Sequence, residues 1–418
     1  MVYQQALGAM SGKGKWCISM HKRLFQVRGS GVSASTRGYP RQGEMVYQQA
    51  VEAIKDDVTF ILSFIPVTRI FDFTQKQEDA IFNDLSTKFP GREETWTAVA
   101  RRCLEDMTTP PGHSPALSHN IDGFSEKEYQ CFQVFEDAVS QVQTEAMWTA
   151  YLRVCLERIG ETSPKLVQER RIRKVLEVFK RAAGAGLLSA QCYVDWLDTL
   201  LKIGSVQEAE CVCKESTQRY PAYVALWRQR LVLLTKGLAE EKLLMDILHQ
   251  ARKLVPEREC WPLWEITLEY LVSTNYSSVE TLFQTCASSP VRELCLPAKE
   301  MYLKWAAVTH GVEKARQVYY SLIRPVSLEF YQYFLDIENS QATPKIKKLR
   351  KIYENAVQDY GSENTDLWLD YVKLELNHPK GKSRNAGNIH FRAMKSLSGD
   401  QVERFVTQYT LLQAGHDI

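Results

Sequence analysis

Few side chains in this sequence are placed to do chemistry. Glu338 and Glu375 lie within apolar helical patterns, where a general acid–base pair would be sought. Each stands seven residues after an aromatic, Tyr331 and Trp368 respectively. That offset keeps both groups on one helix face and favours a carboxylate that ties neighbouring helices by hydrogen bonds. None of the eight histidines pairs with another at i, i+4, and His378 before Pro379 reads as a turn residue at a helix end. Cys211 and Cys213 are two apart, which is not zinc spacing. The ten cysteines read as reduced, buried thiols of an intracellular protein. Gly8 to Lys13 is one residue short of a phosphate loop, lacks the following Ser/Thr, and has no strand before it. No metalloprotease, nucleophile-elbow, kinase or dinucleotide signature is present. The expectation is a protein with no catalytic, cofactor-binding or metal-binding residues, no small-molecule substrate and no membrane association.

Binding chemistry is better represented. Arg170, Arg171, Arg173 and Lys174 form one basic cluster, and Lys345, Lys347, Lys348, Arg350 and Lys351 a second. Both are expected at the starts of helices, where cations oppose the helix dipole. They are candidate contacts to RNA phosphates or acidic partner loops, against the plainer reading of a solvated face. The nine tryptophans could stack bases, but at helical spacing they fit a core. Lys plus Arg is 52 and Asp plus Glu is 50. The resulting +2 hides an asymmetry: seven basic residues against Glu44 give residues 1–44 a charge of +6, leaving −4 for the remainder. A mildly acidic body argues against bulk RNA binding. No run of 18 apolar residues is present.

The elements that carry these residues are helices of two alternating kinds. The first kind has an aromatic followed three residues later by another apolar residue: Trp368 and Tyr371, Tyr331 and Phe334, Trp148 and Tyr151, Trp96 and Val99. A Glu follows at +7 (Glu375, Glu338) or +9 (Glu157, Glu105), while Trp196, Trp227 and Trp264 keep the aromatic alone. The second kind has an aromatic near a small residue: Phe135 and Ala138, Phe179 and Ala182, Tyr353 and Ala356, Phe391 and Ala393. Phe82, Phe283 and Tyr319 sit in similar settings. Trp196, Trp227 and Trp264 are 31 and 37 residues apart, and Phe283, Tyr319 and Tyr353 are 36 and 34 apart. Two helices per period of this length predict an all-α chain built as an α-solenoid. About eight pairs are expected between residues 45 and 397 of a solenoid spanning 45–418, with a capping helix near 400–413. Pro90, Pro164, Pro221, Pro256, Pro290, Pro325, Pro344 and Pro379 are expected between helices, and Pro66 at a kink. Residues 107–124 are expected to be a flexible loop. Met1–Ala6 recurs as Met45–Ala50 and then diverges at once. Residues 1–44 therefore read as a disordered, basic, glycine-rich head from a gene-model or splice artefact.

The Trp-x-x-Tyr-x-x-x-Glu first helix and the aromatic-x-x-Ala second helix resemble the half-a-TPR (HAT) repeat family of RNA-processing assemblies. Asp366-Leu367-Trp368-Leu369-Asp370-Tyr371, Glu375-Leu376-Asn377-His378-Pro379 and Arg392-Ala393-Met394-Lys395 resemble the HAT-repeat subunits of the small-subunit processome. Phe71-Asp72-Phe73 and Thr144–Trp148 fit the same subunits. The resemblance covers about residues 45–418 and implies that N-terminal repeats of the family are lacking. It also implies a nucleolar, non-enzymatic scaffold that supports the pre-rRNA cleavages leading to 18S rRNA. The implied partners are tandem β-propeller (WD40) proteins of the same subcomplex, the U3 small nucleolar ribonucleoprotein and pre-rRNA. A HAT scaffold of pre-mRNA splicing or mRNA 3′-end processing is the alternative. A helical prenyltransferase subunit is weaker, because only Trp227 with Arg230 matches its Trp-x-x-Arg pattern.

Overall fold

The computed structural model describes residues 82, 85–104, 124–238, 240–274 and 276–413. The head at 1–44, the repeated hexapeptide, Pro66, Phe71-Asp72-Phe73, Glu105 and all of the expected loop except Phe124 lie outside them. Among the described residues every regular element is helical.

Two compact units divide within one helix, at Trp196 and Leu197. The first holds α1 (Glu93–Leu104), α2 (Glu126–Gln141), α3 (Glu145–Gly160), α4 (Lys165–Gly184) and the start of α5 (Ala190–Ile203). The second holds the rest of α5 and twelve further helices. They open with α6 (Val206–Arg219), α7 (Val224–Lys236) and α8 (Glu241–Leu254), then a 3₁₀ turn (Glu257–Glu259). Next come α9 (Trp261–Ser273), α10 (Val279–Ala287), α11 (Arg292–His310), α12 (Val312–Ser321) and α13 (Leu328–Asn339). The last are α14 (Ile346–Tyr360), α15 (Thr365–Asn377), α16 (Ser383–Ser396) and α17 (Asp400–Gln413). Taken two at a time from α1, these helices make eight pairs with α17 left over. Eight pairs thus fit between residues 93 and 396 alone. The additional first helix is α11, whose Tyr302 and Trp305 carry the first-helix pattern across 19 residues despite the internal Pro297.

Helix ends follow local chemistry. Ser125 caps α2 in a reciprocal capping box with Glu128, and Thr144, Ser327 and Asn364 cap α3, α13 and α15 through their side-chain oxygens. The eight prolines expected between helices all lie outside the α-helices. Gly361 after α14 has no room for a side chain: a Cβ there would lie 2.3 Å from the Val357 carbonyl and 3.0 Å from the Trp368 ring. Its own carbonyl accepts the Trp368 indole N–H at 2.7 Å.

Within each unit a helix packs on the next and often on the next but one, as α1 does on α2 and α3, and α11 on α12 and α13. First helices therefore build one layer and second helices another. The apolar stripe of α14 shows why: Ile346, Leu349, Ile352, Tyr353, Ala356 and Val357 are buried, at the spacing of one helix face. The leftover α17 packs on α15 and α16 and buries only Phe405, as a cap with a wet outer face should. Phe124, the last residue of the expected loop, is buried edge-to-face on Phe132 at 5.3 Å.

Candidate interaction surface and the repeat network behind it

The second-helix aromatic of one pair stacks on the first-helix aromatic of the next. Phe135 lies on Tyr151 at 4.8 Å, Phe283 on Tyr302 at 5.2 Å, and Tyr353 on Tyr371 at 4.9 Å, all within 10° of parallel. Phe179 on Trp196 and Tyr319 on Phe334 repeat the arrangement. These rings join successive pairs through apolar burial and stacking.

A polar network sits beside each of three stacks. Glu136, next to Phe135, accepts the Tyr151 hydroxyl at 3.0 Å and both Arg181 Nη atoms at 2.7 and 2.8 Å. Glu354, next to Tyr353, accepts the Tyr371 hydroxyl at 2.9 Å and both Arg392 Nη atoms at 2.7 Å. Glu280 accepts Tyr302 at 2.9 Å and Lys314 at 2.5 Å. The two arginines also lie over the tryptophan of their own pair, Arg181 on Trp148 and Arg392 on Trp368. Each network thus ties three successive helices. Burial raises the Glu136 carboxyl, but the Arg181 hydrogen bonds, the Lys174 charge and the Tyr151 hydroxyl outweigh it and bring it down to about 2.

The buried carboxylates are consumed in ion pairs. Arg316 of α12 reaches Glu338 of α13 through Nε at 2.5 Å and Nη2 at 2.9 Å. Arg350 of α14 reaches Glu375 of α15 at 2.5 and 2.8 Å, and the same carboxylate accepts the Lys382 amide at 3.0 Å. In both, a second helix clamps the next first helix. Burial pushes the Glu375 carboxyl up, and Arg350 with the Lys382 amide more than reverses it. A carboxylate held charged by a fixed arginine is a poor proton shuttle.

The first basic cluster is only partly available. Arg171 is 6% exposed and pairs with the buried Glu128 at 2.6 Å, with further bonds to the Arg158 carbonyl and Ser163 Oγ at 2.7 Å. It is a core ion pair, which corrects its reading as a surface contact. Lys174 is held by Glu136 and Glu177 at 3.2 and 3.4 Å. Arg170 is half-buried and Arg173 exposed. With Lys174, Glu136 and Glu177 they line a 430 Å³ cavity whose charges largely cancel. The cluster also lies more than one turn inside α4, not at its start. In the second cluster Arg350 is taken by Glu375. Lys345, Lys347 and Lys351 are exposed and Lys348 half-buried. Lys345 is the N-cap residue of α14 and the others occupy its first two turns. Lys351 lies over the Tyr320 ring at 5.5 Å. No carboxylate among the described residues is within ion-pair distance of these four lysines.

Trp148, Tyr151, Trp196, Trp227, Trp264, Tyr331, Phe334, Trp368, Tyr371, Phe135, Phe179, Tyr319 and Tyr353 are buried, as are Glu338 and Glu375. Trp96 is half-buried, its indole donating to the Pro90 carbonyl at 2.8 Å. Phe391 is 58% exposed and is not a core residue. The buried face of α16 is Ala386, Ile389 and Ala393, and Phe391 points away from it. The offset explains the difference: the other aromatics precede their Ala by three, Phe391 by two. His390, at the proper offset, packs on Phe405 and Tyr409 of the cap. Glu157 at +9 is also a surface residue, paired with Arg101 at 2.8 Å. The networks around Glu136 and Glu354 leave a trace in the sequence. Their signal is a Glu directly after the second-helix aromatic and an Arg directly before the next pair's Ala. Burial pushes the Cys131 and Cys213 thiols up to about 12, so both stay protonated.

The profile described as U3 small nucleolar RNA-associated protein 6 C-terminal matches residues 129–397, from the first turns of α2 to the end of α16. The chain belongs to the U3 small nucleolar RNA-associated protein 6 family. The five ring stacks and the Arg316–Glu338 and Arg350–Glu375 pairs lie within the matched stretch, and Glu128, the partner of Arg171, immediately precedes it. A mouse relative named U3 small nucleolar RNA-associated protein 6 homolog is 33% identical over 89% of this chain and 63% of its own length. The human relative of the same name is 30% identical over 89% of this chain and 62% of its own length. A Dictyostelium discoideum relative of that name is 21% identical over 91% of this chain and 61% of its own length. The chain therefore spans somewhat less than two thirds of each family member it matches.

Proposed function

We propose that this chain is a non-enzymatic scaffold of the small-subunit processome, supporting pre-rRNA cleavage and 18S rRNA maturation in the nucleolus. The observation that carries the reading is the family match across residues 129–397. The side-chain chemistry agrees with a structural role. Glu338, Glu375 and Glu128 are fixed in ion pairs, and the aromatics are consumed in stacks between helices. What the repeats offer instead is extended surface. Tandem β-propeller proteins and the U3 small nucleolar ribonucleoprotein are the proposed partners. Pre-rRNA or acidic partner loops would meet Lys345, Lys347, Lys348 and Lys351, with Arg170 and Arg173 as a smaller second contact. None of these four lysines is in an ion pair with a described carboxylate, although the charges of Lys345 and Lys348 act on the buried Glu338.

The test is affinity purification of the tagged chain from nuclear extract, followed by sequencing of the bound RNA. Enrichment of U3 RNA is expected. Enrichment of spliceosomal RNAs, or of polyadenylation factors without U3, would place the chain in the alternative pathway. A charge-reversed Lys345→Glu, Lys347→Glu, Lys351→Glu variant then asks whether that cluster contributes. It should fold normally and recover less U3 RNA.

A further inference from the structure

A second cavity, of 530 Å³, opens among α6, α7 and α8, and it differs in charge from the one beside Glu136. Three cations line it, Lys214, Arg230 and Lys253, one from each helix, and no carboxylate does. No carboxylate among the described residues is within ion-pair distance of any of the three. The segment from Lys214 to Leu254 carries eight Lys/Arg and four Asp/Glu, a local excess of +4 in a chain whose sum is +2. Lys214, Arg230 and Lys253 thus differ from Arg171 and Arg350, whose charges are taken by Glu128 and Glu375.

Arg230 is held in place rather than solvated. Its guanidinium lies over the Trp227 ring at 5.5 Å, and Nη1 donates to Thr217 Oγ1 at 3.3 Å. Thr217 is itself buried and donates to the Cys213 carbonyl at 2.7 Å. The fork is thus oriented before any ligand arrives, which lowers the ordering cost of binding. The remaining lining is aliphatic or amide: Pro221 and Leu254, the latter 49% exposed, with Gln218 and Gln250 at the rim.

We propose that this pocket binds an acidic peptide segment of a partner protein. One carboxylate would take the Arg230 fork, flanking acids would meet Lys214 and Lys253, and a neighbouring aliphatic side chain would cover Leu254 and Pro221. The lining favours peptide over RNA. Trp227 is the one aromatic that lines the cavity, it is 3% exposed, and its face is already under Arg230. No ring in the lining is free to stack a base, whereas an aliphatic floor beside cations suits alternating acidic and apolar residues. The inference rests on the pocket and does not require the processome reading. The U3 RNA experiment can fail while this one succeeds, and the reverse.

The test uses the full chain and two fluorescein-labelled probes, a peptide of repeating Glu-Asp-Leu units and an oligouridylate of matched charge. Fluorescence anisotropy should show the peptide binding, weakening as salt rises. Lys214 and Lys253 are exposed, so a Lys214→Glu, Lys253→Glu variant should keep the wild-type melting curve and bind the peptide about tenfold more weakly. Arg230→Gln should weaken it similarly, and Leu254→Asp should weaken it through lost apolar contact. Absence of peptide binding by the wild type, or equal binding by the charge-reversed variant, overturns the proposal. So does oligouridylate binding that the charge reversal abolishes while the peptide stays unbound, which would make the pocket an RNA site.

Discussion

The Arg350–Glu375 pair allows the joint between two successive helix pairs to be tested by asymmetry. The Glu375 side chain is 1% exposed, while Arg350 is 26% exposed. Arg350→Ala strands a buried carboxylate. It loses bonds of 2.5 and 2.8 Å and keeps only the Lys382 amide at 3.0 Å and Asn385 at 3.4 Å. Removing one partner of a buried pair costs about 3–5 kcal/mol, and water reaching the vacated arginine site favours the lower half of that range. Glu375→Leu leaves a different remainder. Arg350 can turn to solvent, and the principal loss is the Lys382 amide, left without its acceptor at about 1–3 kcal/mol. The arginine truncation should therefore be the worse of the two by about 1–2 kcal/mol. Acid should separate them further. In the wild type Glu375 is held below its ordinary value of 4.5, so its contribution is present above that value and is lost as pH falls. In Arg350→Ala burial is opposed only by the Lys382 amide and Asn385, so the carboxyl rises from its wild-type position. The variant therefore gains less from ionisation of Glu375 than the wild type does as pH increases. The deficit of Arg350→Ala should thus be largest near neutrality and shrink toward pH 4. Urea unfolding followed by circular dichroism gives the stabilities, and hydrogen exchange at the Lys382 amide localises the effect to the Glu375 carboxylate at the α14–α15 joint. If Glu375→Leu proved the more damaging, or the Arg350→Ala deficit held constant in acid, the clamp would not be a buried, charge-dependent joint.

Other consequences can be checked the same way. Glu136 is held at about 2 against an ordinary 4.5, so its stabilisation, at most about 3 kcal/mol, is present above 4.5 and fades as pH falls toward 2. Glu136→Gln should flatten acid unfolding over that window, as read by circular dichroism. Tyr371→Phe removes one hydroxyl bond to Glu354 but leaves Arg392 bound there, and should cost about 1 kcal/mol in urea titration. Phe391→Ser should change stability by less than about 0.5 kcal/mol, whereas Ile389→Ala on the buried face of the same helix should cost about 2–4. Equal effects at positions 389 and 391 would mean that α16 presents a different face to its neighbours.

What the residues determine alone is the helical build and its period. Apolar spacing, prolines between helices and recurrent aromatics are local signals, and a helix buries the same face whatever it packs on. The eight helix breaks marked by proline and the burial of Trp148, Trp227 and Trp368 follow from them. The Asp366–Tyr371, Glu375–Pro379 and Arg392–Lys395 motifs likewise carry the resemblance, which the family match bears out. Charge was not legible in the same way. Arg171, Arg350 and Lys347 look alike in a linear cluster, yet two are tied to Glu128 and Glu375 from other helices and one is exposed. Those partners are 43 and 25 residues distant. Only the packing of one pair on the next brings them together. A cation's availability is a property of the tertiary structure, because it depends on whether a carboxylate from another helix reaches it first. The same reason hides a third group of cations from a linear reading. The clusters dense in sequence are partly neutralised, while Lys214, Arg230 and Lys253, scattered over three helices, converge on one cavity with no acid in it.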